Sequence, residues 1–285
     1  MGGPLWRSLR SARVLIALTL VLGIAFCAVF AGAIAPHDPG EQNLLSILTP
    51  PAWAAGGDPV YPLGTDSLGR DVLSRLIYGA RTAMLVALFA SVGAMIIGAV
   101  LAHIAGYFGG AVDWIIGRLV DVWMSFPPVI LSLILMVGLG VGLDKVILAI
   151  ILVDWTRFCR VLRSEVLIVT RNDYVAAARL VGFTHWQTIV REVLPATLPL
   201  LITLVSLEMA IAVVVEAILS FVGLGVGADQ PAWGQMIADA RQYVYQSPWN
   251  LLLPIAAIFL TVTAFNLLGD GLRRTLDVRL AEAGR

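Results

Sequence analysis

Apolar runs, each about as long as the hydrocarbon core of a bilayer is thick, constrain this chain more than any other feature. The first, Val14 to Ala35, carries no charged residue. Five more follow: Ala83 to Ala102, Val122 to Val141, Val146 to Leu167, Thr197 to Val222 and Leu251 to Leu268. A helix needs roughly 20 such residues to cross, because lipid offers no partner for backbone N–H and C=O groups and each must be satisfied within the segment. The fourth run is interrupted by Asp154, Arg157, Arg160 and Arg163, so its later turns are expected to leave the membrane as a helical extension. Charged residues make up 13% of the chain, against roughly 25% in a soluble domain. The sequence predicts an all-α membrane protein with six transmembrane helices.

Charge placement predicts orientation. Net charge is zero, so nothing in it argues for nucleic acid. Arg7, Arg10 and Arg13 precede the first run, and of the 19 Lys and Arg only Arg70, Arg75, Arg81, Lys145 and Arg241 fall on the opposite side. Positive loops stay cytoplasmic, which places both termini inside. Ala31, Ala33 and Ala35 resemble a signal-peptidase site, but a secretory core spans only about 7 to 15 apolar residues. The first run therefore reads as a retained helix. The organisation expected is a cytoplasmic amino terminus (1–13), a first span (14–35), an outer loop (36–81), a core with spans two to six (82–271) and a cytoplasmic tail (272–285).

The outer loop opens with turn formers (Pro36, Pro39, Gly40, Pro50, Pro51, Gly56, Gly57, Pro59) and changes character at Gly64-Thr65-Asp66. From there an amphipathic helix is expected, with Leu68, Val72, Leu73, Leu76 and Ile77 on one face and Arg70, Asp71, Ser74 and Arg75 on the other. Asp71 and Arg75 form an i,i+4 pair, and the helix is expected to lie along the outer membrane surface. In the second span Ala90, Ala94, Gly98, Ala102 and Gly106 make a small-residue ridge suited to close helix packing. Gly223, Gly225 and Gly227 end the fifth span, and Trp233, Tyr243, Tyr245 and Trp249 suit the headgroup level.

Several chemistries are excluded. The only lysine, Lys145, follows Asp144, so there is no Walker A loop; His37, His103 and His185 are followed by Asp, Ile and Trp, so there is no HExxH zinc site. Cys27 and Cys159 have no metal or redox spacing and read as packing residues. An intramembrane protease would need a serine paired with His103, and no nucleophile motif accompanies it. A secondary transporter or channel, and an intramembrane enzyme dependent on His103, remain the other classes open to a chain of this kind.

Between the fourth and fifth spans lies Asn172-Asp173-Tyr174-Val175-Ala176-Ala177-Ala178-Arg179-Leu180-Val181-Gly182, followed by Ile189 through Leu194-Pro195. Alanine favours helix, Gly182 permits a sharp turn and Pro195 ends or starts a helix. Two short helices joined by a bend are expected, on the cytoplasmic face, where a soluble partner could grip. Here the chain resembles the permease subunits of bacterial ABC importers, in the dipeptide, oligopeptide and nickel branch and of the partner labelled C. That family's loop runs Glu-Ala-Ala, three residues, Gly, nine residues, Ile, one residue, Leu-Pro. Ala177, Ala178, Gly182, Leu194 and Pro195 match in register, while Ala176 replaces the Glu and Glu192 the Ile.

Further matches run in order from Gly64-Thr65-Asp66 and Gly69-Arg70-Asp71 through Arg118, Asp121 and Pro127, then Trp155, Arg160 and Arg163. The later ones are Glu216 to Gly225, Trp233-Gly234, Phe265-Asn266-Leu267 and Gly269-Asp270-Gly271. The resemblance implies a type I importer permease fold with a coupling-helix loop, carried by Ala176, Ala177, Ala178, Arg179, Gly182, Gln187, Leu194 and Pro195. It implies a second homologous permease, two cytoplasmic ATPases that hold ATP and Mg, and an extracytoplasmic solute-binding protein, with no cofactor on this chain. It also implies a bacterial inner membrane.

Ionised groups in a span are costly unless paired or wet, so Asp154, Glu208, Glu216 and Asp270 each need a role. Glu208 lies near mid-membrane and is the candidate for the solute path, against a structural anchor to the sister permease. Asp154 and Arg157 read as an i,i+3 ion pair, Glu216 as lying near the outer end, and Asn266 and Asp270 as shaping the end of the last helix.

Overall fold

A computed structural model describes residues 12–227 and 230–276, without the side chains of 12, 13 and 274–276. The expected amino-terminal segment 1–11 and the tail beyond 276 lie outside the described residues. Within them, all regular structure is helical: α1 Ala12–Val29, α2 Ala31–Ile34, α3 Val72–Phe108, α4 Gly110–Met124, α5 Pro128–Leu139, α6 Leu143–Val169, α7 Asp173–Leu180, α8 His185–Thr188, α9 Leu194–Phe221, α10 Trp233–Ala240 and α11 Pro248–Leu276. By length and composition three helices can cross a membrane: α3, the continuous 185–221 helix containing α9, and α11. The α4–α5 pair makes a fourth if counted as one span, bent by 86°.

That bend falls within the expected third span, which is broken. Pro127 and Pro128 lack N–H groups and push the residues before them out of helical geometry, and Pro127 itself is extended (φ −59°, ψ 126°). A second proline effect follows α8, where a π turn, Ile189–Val193, immediately precedes Leu194-Pro195. A proline ring crowds the carbonyl four residues back, here Arg191, and the wider turn accommodates it without ending the helix. Pro195 therefore sits in the first turn of α9 inside a continuous helix.

The small-residue ridge packs as expected. Ala90, Ala94, Gly98, Ala102 and Gly106 are all buried. At Gly98 a Cβ would lie 2.5 Å from the Trp155 carbonyl, and at Gly106 it would lie 2.7 Å from Val166. Dispersion contact at that range binds α3 to α6, since lipid provides no hydrophobic drive between helices.

The outer-loop expectation fails at one point: no separate surface helix runs from Gly64. Asp66 draws its carboxylate onto the N–H groups of Leu68 (2.9 Å) and Arg70 (3.0 Å), which competes with helix formation, and Gly69 turns back with φ +71°. The helix begins only at Val72, capped by the Asp71 carboxylate on the N–H of Ser74 at 3.1 Å, and runs on into α3. The expected Asp71–Arg75 pair does not form. Asp71 instead meets His37 at 3.3 Å, and Arg75 turns toward Asp66 (3.7 Å) and Asp239 (3.9 Å). Arg70, Asp71, Ser74 and Arg75, the expected wet face, are all buried.

Two further expectations are corrected. Trp233 does not present its ring to a headgroup layer: it is buried in the protein against Gly79, and its indole N–H donates to the Leu76 carbonyl at 3.0 Å. The Gly269–Gly271 region does not end the last helix. α11 continues to Leu276, and the two glycines bring it onto Ser206 and Leu207 of α9 and onto Val14 of α1. The break after α9 occurs as expected. Gly223 has φ +84°, with Gly223 N–H donating to the Ser220 carbonyl and Leu224 N–H to that of Leu219.

Candidate functional site

The segment from Asn172 to Val193 leaves the bundle at the end where α3 stops. Asp173 stands in the first turn of α7, where a carboxylate favours the positive helix end, and three alanines continue it. α7 closes on Gly182, whose φ is +99°. Gly182 N–H donates to the Arg179 carbonyl (3.0 Å) and Phe183 N–H to the Ala178 carbonyl (3.1 Å), the paired bonds of a glycine-terminated helix. α8 then starts on a capping box. The Gln187 N–H donates to the Thr184 hydroxyl at 3.3 Å, and the Thr184 N–H donates to the Gln187 side-chain oxygen at 2.9 Å.

The two short helices are seated on the last residues of α3. The Tyr107 ring lies under the Arg179 guanidinium at 4.7 Å, and Tyr107 Oη shares a hydrogen bond with His185 Nδ1 at 3.1 Å. Phe108 stands 5.8 Å from the His185 ring and 6.1 Å from Trp186. Val175 is buried, whereas Ala176, Ala177, Arg179 and Gly182 are exposed; Leu180 is 89% and Val181 81% exposed. Two aliphatic side chains at the tip of a capped hairpin form a contact surface that no side chain among the described residues covers.

Of the residues singled out in the sequence, Ala176, Ala177, Ala178, Arg179, Gly182 and Gln187 are brought together here. Gln187 is engaged as a cap, Leu194 and Pro195 belong to α9, and Glu208 lies apart, about 20 Å further along that helix at ~1.5 Å per residue. Sequence reasoning missed Tyr107 and Phe108, although an aromatic pair before Gly109-Gly110 at a helix end was a usable signal.

Glu208 is buried within α9 and meets Arg157 of α6 at 3.3 Å. The expected Asp154–Arg157 pair is present at 3.8 Å, so one guanidinium serves two carboxylates. Glu208 Oε1 has no hydrogen-bond partner. Glu216 is buried and accepts from the Ser220 hydroxyl at 2.6 Å. His103 donates through Nδ1 to the Ala99 carbonyl at 2.8 Å and sets Nε2 3.1 Å from the Thr197 hydroxyl. That bridge joins α3 to α9 and pairs the ring with no serine.

At the opposite end, residues 64–71 form a charged knot that the sequence did not disclose. Arg70 Nε pairs with Asp66 at 2.7 Å, and Arg70 Nη2 reaches Asp239 of α10 at 3.2 Å. Arg75 lies beside both acids, and Asn250 at the start of α11 donates to the Thr65 carbonyl at 2.9 Å. Gly234 lets α10 approach α9, since a Cβ there would fall 2.0 Å from the Ala217 carbonyl. These contacts bring the Gly-Thr-Asp, Gly-Arg-Asp and Trp-Gly segments to one end of the bundle.

Residues 94–282 match the family described as the binding-protein-dependent transport system inner membrane component, and residues 5–51 match the N-terminal TM domain of oligopeptide transport permease C. The chain is 41% identical over 93% of its length to a di/tripeptide transport system permease protein of Pseudomonas aeruginosa, covering 88% of that protein. It is 41% identical over 96% of its length to a dipeptide transport system permease protein of Escherichia coli, covering 91%. A glutathione transport system permease protein of Pectobacterium atrosepticum is 34% identical over 96% of the chain and is covered to 90%. Matched along nearly its whole length, the chain belongs to this family: it is a C-type permease subunit of an ABC importer, a multi-pass inner-membrane protein and, as a permease subunit, not itself an enzyme.

Proposed function

We propose that this chain forms half of the translocation path of an ATP-driven importer of di- or oligopeptides. Identity of 41% to the Pseudomonas aeruginosa di/tripeptide permease over 93% of the chain carries that reading. Six spans are assigned: α1 with α2, α3, α4 with α5, α6, α9 and α11. Both termini are cytoplasmic, in keeping with the excess of Lys and Arg on that side. The partners are a second homologous permease, two cytoplasmic ATPases that hold ATP and Mg, and an extracytoplasmic binding protein that delivers the solute to the face carrying residues 36–71 and α10.

The α7–α8 hairpin is the coupling element, with Leu180 and Val181 seated in an ATPase subunit. Its anchorage on Tyr107 and Phe108 supports this role, because movement of the hairpin is passed to the end of α3 and, through the continuous 185–221 helix, to α9. ATP-driven closure of the ATPases then shifts the helices between outward-open and inward-open arrangements. Glu208 is assigned to the solute path.

Reconstitution of the four membrane and ATPase subunits with the binding protein tests the proposal. Cysteines at Arg179 and Leu180 should crosslink to an ATPase subunit, and peptide should stimulate ATP hydrolysis; an active complex without those crosslinks refutes the coupling assignment. Glu208→Gln retains shape and removes charge. It should lower peptide uptake while the complex still assembles, and unchanged uptake of every peptide assayed removes Glu208 from the path.

A further inference from the structure

α6 carries Arg157, Arg160 and Arg163 at three-residue spacing, hence along one face. Each meets acids from a neighbouring helix. Arg157 is held by Asp154 and by Glu208 of α9; Arg160 Nη2 bonds Asp121 of α4 at 2.7 Å; Arg163 engages Asp113 of α4 through both Nε and Nη2. Asp121 is also taken by Arg118 at 2.9 Å. Between α4 and α6 lies an open cavity of about 390 Å³ lined by Asp113, Gly117, Arg118, Asp121, Arg160 and Arg163 among others. Its lining holds three guanidiniums and two carboxylates, which leaves one positive charge unmatched.

The row starts at the level of Glu208 and ends near Gly106, whose Cβ position lies 3.3 Å from the Arg163 carbonyl, close to the hairpin end of the bundle. The charges of this stripe suit a surface that faces protein or water, both at the level of Glu208 and in the helical extension beyond it. The three arginines are not equivalent. Arg163 spends its fork on Asp113, and Arg157 is 36% exposed with two acids behind it. Arg160 is 51% exposed and bonds through one nitrogen only. A guanidinium with an open edge is suited to a carboxylate, which it binds with two parallel N–H bonds. The cavity volume lies within the range of small-molecule sites, roughly 300–1,000 Å³.

We propose that the arginine row of α6, with the acids facing it from α4 and α9, lines the inner half of the solute path, and that Arg160 receives a free carboxylate of the solute. This rests on the permease reading above and adds the residues and the recognised chemical group. Gly117 provides the probe, since a Cβ there meets nothing within 4 Å and the residue lines the cavity. Gly117→Cys is introduced into the complete importer in inverted membrane vesicles, with the unaltered chain, which keeps Cys27 and Cys159, as background. Water-soluble anionic and cationic methanethiosulfonates of matched size are compared with a lipophilic maleimide.

Both water-soluble reagents should label Gly117→Cys, the anionic one about fivefold faster, as one nearby charge dictates. Adding Arg160→Gln should abolish the preference. That variant leaves no acid orphaned, because Asp121 keeps Arg118. L-alanyl-L-alanine should slow labelling, and its carboxyl-terminal amide should not. Labelling by the maleimide alone places the cavity against lipid, and no labelling places it under the sister permease; either overturns the proposal. Equal protection by the two peptides, or none, overturns the carboxylate assignment. Peptide uptake measured on the unaltered importer separates the readings: if uptake fails the peptide importer itself is refuted, and if uptake is normal the labelling pattern judges the cavity alone.

Discussion

The two ends of the bundle solve opposite problems. At one end, residues 64–75 bury Asp66, Arg70 and Arg75 against Asp239 and tie the loop to α3, α10 and α11 with bonds from every side. At the other, α7 and α8 satisfy their own backbones through a glycine turn and a capping box, yet expose Leu180 and Val181. The first region draws its ion-pair partners from within the chain, although Arg75 Nε and Nη2 are buried beside the acids without a hydrogen bond. The second has its backbone capped but leaves two aliphatic side chains exposed among the described residues, in keeping with the proposal that another subunit covers them.

The comparison breaks most visibly at Gly69. Its φ is +71°, and a Cβ would fall 1.9 Å from the Asn43 carbonyl oxygen, a backbone atom that cannot yield. Gly69→Val should therefore abolish the folded chain, read as loss of a monodisperse peak in detergent. A normal yield of folded protein would show the knot to be dispensable.

Asp66→Ala comes next. It removes one of the two acids that hold Arg70, a neighbour of Arg75 and the acceptor of two backbone N–H groups at once, leaving Asp239 on Arg70. Stripping one partner from a buried pair costs about 3–5 kcal/mol. Thermal unfolding should move down by several degrees, and Asp66→Asn, which keeps the hydrogen-bonding oxygen, should recover part of the shift.

The smallest stability effect with the largest functional one is expected at Gly182. No atom lies within 4 Å of a Cβ there, so Gly182→Val meets only backbone strain at φ +99°, worth about 1–3 kcal/mol and confined to the hairpin. The melting temperature of the bundle should stay close to that of the parent chain, while ATPase recruitment and uptake fall. Unchanged recruitment would make the two ends equivalent and remove the coupling role.

The apolar runs, the Gly98 ridge, the Gly182 turn and the Asp154–Arg157 pair were legible because each depends on neighbours in sequence or on the fixed period of a helix. The outer loop was misread for the converse reason. Periodicity assigned residues 68–77 to a surface helix, but the partner that draws Arg70 inward, Asp239, lies 169 residues away. No local pattern can weigh an ion pair made at that separation. The burial of Trp233 was missed likewise: its ring suits exposure to a headgroup layer until Gly79 leaves a slot for it in the protein. The sequence by itself determined the membrane as solvent, the helical class, the family resemblance and the bend at Gly182, all set by chain-local chemistry. Tertiary structure alone decided which charges are buried, where α3 begins, and how acids on α4 and α9 meet the arginine row of α6, because those outcomes depend on which distant segments pack together and withdraw each other from lipid and water.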